Sequence, residues 1–450
     1  MSAPAASPVV ENEPRTATST LPPGPGWPRI VETAVLWTAP VRLMRFCRRR
    51  YGRAFTLRAE PFGTGVWITE PEDLKEVFTA DPALVHAGEG NEVLKPILGE
   101  RSVLLVDEDE HLRRRKLMLP MFHGRAIQAY RELMAQVAAE EVASWRPGVV
   151  RLHPRMQRLT LEIILRAVLG VESSRQADDL RHALRDVLKI TPLRMLLWVW
   201  PQLGRIPPWT RYLAIIARAD RLLRDEIADR RADPDLPART DILALLIQAR
   251  YDDGEPLDDD EIRDQLITLL LAGHETTATG LAWAFERLMR HPEHLRRAVE
   301  AADRGDEDHL ECVAKEALRV RPVILDVARK LTRPAGFGDR LLPAGTTIFP
   351  SVLLAHESAG WGADARAFDP GRWARGAAPA YGWIPFGGGT RRCLGAAFAQ
   401  MEMRVVLSEV LRSVELRPVA RRDEPQRVRH ITSVPAFGAL ARVRRRAWTT

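Results

Sequence analysis

The segment best equipped for chemistry is Phe386-Gly387-Gly388-Gly389-Thr390-Arg391-Arg392-Cys393-Leu394-Gly395, a glycine-rich loop that leads a cysteine straight into a helix-forming stretch. Exposed loop amides and the positive end of the following helix favour a thiolate by lowering the thiol pKa. Such a cysteine is suited to ligate or to attack. A phosphate loop is a poor alternative, because no Lys-Ser/Thr follows the glycines. A nucleophilic cysteine needs a general base, which the sequence neither supplies nor excludes.

Three other groups of residues have chemistry-bearing spacing. Ala272-Gly273-His274-Glu275-Thr276-Thr277 sits in the middle of a long helical pattern, where a glycine, an acid and two β-branched hydroxyl residues are poor choices for an ordinary buried helix centre. Threonine can bond a carbonyl one turn back and loosen the helix, and glycine removes a side chain where something approaches closely. Glu316 and Arg319 lie three apart and share a helix face, and Arg372 could close a charge-assisted triad with them. His111 and Arg115 lie four apart, so they project from one face of a helix. The plain readings of these patterns are a kink, a surface ion pair and exposed cations. His291 and His294 flank Pro292 at a helix junction, where capping or surface imidazoles are commoner than metal ligands. Cys47 and Cys312 read as ordinary thiols.

The elements that must position these groups are mostly helical. The stretch from Asp258-Asp259-Asp260-Glu261, whose carboxylates suit a helix N-terminus, to His291-Pro292 predicts a helix of about 33 residues, roughly 50 Å at 1.5 Å per residue. A helix over about 394–412 carries Leu394, Phe398, Met401 and Val405 on one face. An amphipathic surface helix is expected from Arg29 to Tyr51, and a β-hairpin from Ala54–Leu57 and Val66–Thr69. A second β region follows at 341–349, and an irregular Gly/Pro-rich stretch covers about 356–392, long enough to suggest function. Residues 1–28 hold seven prolines and few large apolar residues, and are expected to form a disordered tail ahead of one helix-rich domain over 29–450. The fold class is therefore mainly α with small β-sheets.

Composition limits the classes. Three distant cysteines exclude a disulfide scaffold, and runs such as Met195–Trp200 are far shorter than the roughly 20 residues of a membrane-spanning helix. A cytoplasmic protein without a transmembrane anchor is expected. Net charge is +7, and 60 of the 66 basic residues are arginine. Most arginines alternate with acids, which argues against a nucleic-acid-binding face.

The Cys393 loop, with Phe386, Gly389, Arg391, Cys393 and Gly395 at the motif spacing, resembles the ligand loop of the cytochrome P-450 haem-thiolate monooxygenases. Three further motifs follow that family's order: Ala272–Thr277 is similar to its oxygen-activating segment, Glu316-Ala317-Leu318-Arg319 to its Glu-x-x-Arg, and Phe368-Asp369-Pro370-Gly371-Arg372-Trp373 to its meander. Gly371 departs from the pattern, where many members carry Glu. The resemblance covers the chain from Leu21 onward.

It implies one P-450-like domain holding haem b, iron protoporphyrin IX, with Cys393 as the iron ligand. It assigns propionate contacts to His111, Arg115, Arg329 and Arg391, proton delivery to Glu275, hydrogen bonding of bound oxygen to Thr276, and a structural triad to Glu316, Arg319 and Arg372. His274 is read as exposed or capping. Val323, Ile324, Leu325, Ile431 and Thr432 fall where pocket walls are expected. The 195–201 segment, with Pro207-Pro208-Trp209, falls in the region covering the substrate entrance, as lid or as core. The implied reaction inserts one oxygen atom from O2 into a lipophilic molecule such as a terpenoid, fatty acid, steroid or polyketide. Electrons would come from an acidic ferredoxin or flavodoxin and its reductase, docking on Arg113, Arg114, Lys116 and Arg392 of a monomer. A peroxide-driven peroxygenase and a non-catalytic haem ligand-binding protein are the alternatives.

Overall fold

A computed structural model describes residues 21–446, apart from 61, 123, 171–174, 189–193, 195, 198, 199, 339, 377 and 430. The first twenty residues of the expected tail, and much of the 195–201 segment, therefore lie outside the described residues.

Residues 21–28 do not behave as a tail. Thr56 donates its amide to Pro23 O at 3.1 Å and its hydroxyl to Pro22 O at 2.6 Å. Prolines cannot donate, but their carbonyls accept freely, so a proline-rich strap can lie along a strand without being part of a ladder. The expected single helix from Arg29 to Tyr51 is two helices, Arg29–Thr38 and Pro40–Tyr51. Pro40 lacks an amide proton and forces Ala39 out of helical geometry, to φ −141° and ψ 47°. Leu43, Met44 and Cys47 are buried beneath the second helix, whereas Ile30 is exposed.

The hairpin is present as β1 (Ala54–Ala59) and β2 (Gly63–Ile68). It extends into a five-stranded sheet of order β1-β2-β8-β5-β3, with β3 at Val85–His86, β5 at Arg329–Leu331 and β8 at Thr347–Pro350. The β2–β8 pair is parallel, with Val66 opposite Ile348, and Arg329 opens β5 opposite Ile348 on the other side. Smaller sheets pair β6 (Ala335–Phe337) with β7 (Arg340–Leu342), and β10 (Gln426–Arg429) with β11 (Thr432–Pro435). A third joins β4 (Gly148–Arg151), β12 (Leu440–Arg445) and β9 (Val414–Pro418).

The long central helix runs Asp259–Arg290, with the Asp258 carboxylate capping the Glu261 amide at 2.9 Å. From Thr277 to Met289 every residue is buried, as expected of a helix surrounded by others. It packs on the helix Leu152–Leu169, and the glycine at its centre has a simple cause: a Cβ on Gly273 would lie 3.2 Å from the Ile164 side chain. The helices Glu307–Val320 and Ala396–Ser413 pack beside it, carrying Glu316 and Arg319 and directly following Cys393. Among the described residues no helix is long and apolar enough to cross a membrane.

Candidate active site

The Cys393 loop is pressed against the C-terminal end of the helix Pro71–Thr79. Gly389 has φ +64°, and a Cβ there would stand 1.9 Å from Phe78 O, so neither backbone conformation nor space admits another residue. The Cys393 amide donates to Phe386 O at 2.9 Å and the Arg392 amide to Gly389 O at 3.1 Å, closing the loop on itself. Gly395 is different: its φ is −82° and a Cβ would meet no protein atom within 4 Å. The space beside the cysteine is thus left open by the protein. Cys393 lies deep within the fold yet keeps accessible surface, as does Ala272 in the middle of the central helix.

Burial raises the Cys393 thiol pKa, while the Gly395 amide and the charges of Arg115 and Arg392 oppose the shift. The expected depression is therefore reversed in the protein alone. Removing a thiolate from water outweighs what one amide and two guanidinium groups restore.

The four residues expected to bind carboxylates do converge. His111, on the helix Glu108–Met118, is buried, and its pKa is pushed down to about 3, first by burial and then by Arg391, Arg115 and Arg329. Burial also lowers Arg329 and Arg391, each to about 10. Arg391 donates to Val103 O at 3.2 Å and Val106 O at 2.6 Å and pairs with Asp107. Asp107 is also held by the amides of Ala87, Gly88 and Glu89 at 2.9, 2.9 and 3.1 Å. Among the described residues neither His111 nor Arg115 has a side-chain hydrogen-bond partner. Three guanidinium groups thus crowd one imidazole, and Asp107 offsets only Arg391, directly, and Arg329, at longer range, among the described residues. That deficit of negative charge, beside open space at Gly395 and an accessible Cys393, fits a flat, thiol-ligated group bearing carboxylates.

Glu316 and Arg319 form a fully buried pair at 2.7 Å, not a surface one. Arg319 donates to His356 O at 3.1 Å, to Ala367 O at 2.8 Å and to Ala365 O, drawing the irregular stretch onto the helix. The third member is looser than expected. Arg372 Nε stands 3.7 Å from Glu316 and lacks a hydrogen-bond partner, because its terminal nitrogens bond Trp361 O and Asp364 O, both at 3.2 Å. The direct donors to Glu316 are the Asp369 amide at 2.9 Å and the Trp373 indole at 3.0 Å. His356, missed in the sequence, ties the knot to the ligand loop: its Nδ1 bonds Arg319 O at 3.1 Å and its Nε2 accepts from the Ile384 amide at 2.9 Å.

On the central helix the Thr276 hydroxyl donates to Ala272 O at 2.7 Å. Glu275 accepts from Gln157 at 2.5 Å, a partner on another helix that no local spacing announces. His274 is neither exposed nor a cap. It is buried with Nδ1 bonded to Leu270 O at 3.0 Å, because its position on the helix points it at packed neighbours.

The expected wall residues separate. Val323 O accepts from the Ser433 amide at 2.7 Å, which brings the two segments together. Leu325 is buried in the cluster containing Leu43 and Phe349, Thr432 is buried with its hydroxyl on Arg429 O, and Ile431 is exposed at the β10–β11 turn. Ile324 is half-buried beside the main core.

The expected donor-docking patch is also reduced. Arg114 is buried on Glu261 at 2.7 Å, Arg113 pairs with Asp253 at 2.5 Å and lies over the Tyr251 ring, and Lys116 pairs with Asp252 at 2.6 Å. Only Arg392 of that set is exposed and without a carboxylate among the described residues.

The cytochrome P450 family model matches residues 22–436. Cytochrome P450 135B1 of Mycobacterium tuberculosis is 44% identical over 436 residues, covering 95% of this chain and 92% of its own. Cytochrome P450 135A1 of the same organism is 42% identical over 431 residues, with coverage of 95% and 96%. A structure of cyanobacterial CYP120A1 with retinoic acid bound superposes with a TM-score of 0.82 at 22% identity, over 95% of this chain and 100% of that one, and so shares the fold. The family model and two relatives aligned over nearly the whole length place this chain, with its cysteine-bearing glycine loop, in the cytochrome P450 family, as a haem b-binding, cysteine-thiolate monooxygenase.

Proposed function

We propose that Cys393 is the iron ligand, that His111, Arg115, Arg329 and Arg391 bind the haem propionates, and that the enzyme hydroxylates or epoxidises a lipophilic small molecule. The observation that carries this reading is the convergence of three guanidinium groups around the buried His111 imidazole, with Asp107 the one carboxylate paired to them among the described residues. When bound, thiolate-ligated haem supplies oxygen binding and O–O cleavage.

The chain's own residues supply the rest. The loop hydrogen bonds hold the Cys393 sulfur on a fixed backbone, and the Glu316–Arg319 knot fixes the stretch that carries the loop. Arg391, anchored on Val103 O and Val106 O, and Arg329, held in β5, present charge from rigid elements. The Thr276 hydroxyl can leave Ala272 O for a nearer acceptor, since the carbonyl already serves the helix ladder. Glu275, one residue earlier, holds the proton to be delivered, and Gln157 holds its Oε2. The substrate is a lipophilic molecule of the terpenoid, fatty acid, steroid or polyketide kind.

Electrons come from an acidic ferredoxin or flavodoxin and its reductase, with Arg392 as the contact beside the ligand loop. The test is the ferrous–carbonyl spectrum: a strongly red-shifted Soret band is expected, and it should vanish in Cys393→Ala. A normal band in that variant overturns the ligand assignment. A screen following the ferric spin-state change then identifies the substrate class.

A further inference from the structure

Glu275 sits in a buried polar pocket between the central helix and the helix Leu152–Leu169. Gln157 Nε2 donates to its Oε2 at 2.5 Å. The other oxygen, Oε1, is buried and has no hydrogen-bond partner. His153 Nε2 faces Oε1 at 3.8 Å, and His274 Nε2 lies 4.0 Å from Oε2. Both imidazoles are anchored, His153 on the Thr279 hydroxyl at 3.1 Å and His274 on Leu270 O. Thr160 fixes the backbone there by donating to His274 O at 2.9 Å. Among the described residues no arginine or lysine pairs with Glu275.

Three other acids near the site are held differently. Asp107, Glu261 and Glu316 are each clamped by a guanidinium group, whereas Glu275 is held by a neutral amide. An amide restrains the carboxylate's position without imposing a charge state. An oxygen left buried and unpaired is costly unless a proton or water visits it.

We propose that Gln157 is a positioning residue for the monooxygenase reaction. Its amide tethers Glu275 Oε2, leaving Oε1, with His153 opposite, as the oxygen that takes up and hands on the proton. The inference rests on the reading of Glu275 as proton carrier given above. No bond other than O–H changes: the proton leaves Oε1 and is replaced from the His153 side, and the electrons come from the redox partner.

The test uses the haem-loaded enzyme with a plant-type ferredoxin and its reductase as electron source, and O2 as the only acceptor, so no organic substrate is needed. Reduction of O2 to peroxide takes two electrons and two protons, and reduction to water takes four of each, so the product split reports proton supply. Gln157→Met should lower the share of O2 reaching water by roughly tenfold and enlarge the rate ratio between H2O and D2O. Its ferrous–carbonyl spectrum and melting temperature should stay unchanged. The infrared carboxyl band of Glu275, assigned by its loss in Glu275→Gln, should shift in Gln157→Met. Gln157→Asn, with an amide one methylene too short, serves if the methionine variant does not load haem. A wild-type product split, isotope ratio and carboxyl band in the Gln157 variants, with Glu275→Gln disturbing the first two, overturn this inference alone. If Glu275→Gln itself leaves both readouts unchanged, the proton-carrier reading falls and this inference falls with it.

Discussion

Two buried charge clusters flank the ligand loop and are built on opposite plans. Around Glu316 and Arg319 nearly every donor and acceptor is used: the carboxylate takes Arg319, the Asp369 amide and the Trp373 indole, and the guanidinium spends its remaining donors on the carbonyls of His356, Ala365 and Ala367. Around His111 stand three arginines, two of which feel Asp107, and burial lowers the pKa of each. A closed network serves the fold, whereas an open, like-charged one is stable only when something anionic completes it. Both look alike in sequence, as basic and acidic residues a few positions apart.

The largest effect should come from opening the closed cluster. Arg319→Leu leaves Glu316 as a buried, unpaired carboxylate and should cost about 3–5 kcal/mol in urea unfolding. Values within a few tenths of wild type would break the contrast.

The acid response comes next and separates the clusters. His111 and His356 each have their pKa pushed from 6.5 down to about 3, mainly by burial. The unfolded chain therefore binds protons between those limits that the folded chain refuses, so their contribution is fully present above about pH 6.5 and is lost as pH falls towards 3. His356→Asn should flatten the fall in stability with or without haem. His111→Asn should flatten it strongly only without haem, because bound carboxylates would favour a charged His111. Stability against pH, measured for the apo and haem-loaded protein, tests both.

Arg329→Leu should leave the apo protein as stable or more stable, by relieving like-charge crowding, while haem dissociation speeds up by roughly tenfold. Stopped-flow transfer of haem to an acceptor protein gives the rate, and loss of apo stability would place Arg329 with the closed cluster instead. The smallest effect belongs to the surface: Arg392→Glu should change stability by no more than about 0.5 kcal/mol. It should nonetheless slow reduction by an acidic ferredoxin and weaken the dependence of that rate on salt.

Features encoded in adjacent residues could be read before the fold was known. The Cys393 loop, the cap at Asp258 and the length of the central helix depend on neighbours in the chain. So does the i,i+3 face shared by Glu316 and Arg319. What could not be read depends on partners far along it. Trp373 rather than Arg372 completes Glu316, because the short helix after Gly371 turns the indole inward. His356 acts between Arg319 and Ile384, neither of them near it in sequence. Gln157 meets Glu275 only because two long helices pack together. Arg113 and Lys116 are neutralised by Asp253 and Asp252 from the turn before the central helix. The proline strap at 21–28 has the composition of disorder, yet its carbonyls find Thr56.

The parallel pairing of β2 with β8 has a consequence for biosynthesis. The strand carrying Arg329 is flanked only by β3, from the first quarter of the chain, and by β8, still to come when Arg329 is made. Arg391 and Cys393 follow later again. If those residues hold the haem as proposed, a ribosome-bound chain lacks most of that site until synthesis is nearly over, and contacts between such distant segments form slowly. On the proposed assignment of Arg391 and Cys393 to the haem site, haem capture falls late in synthesis.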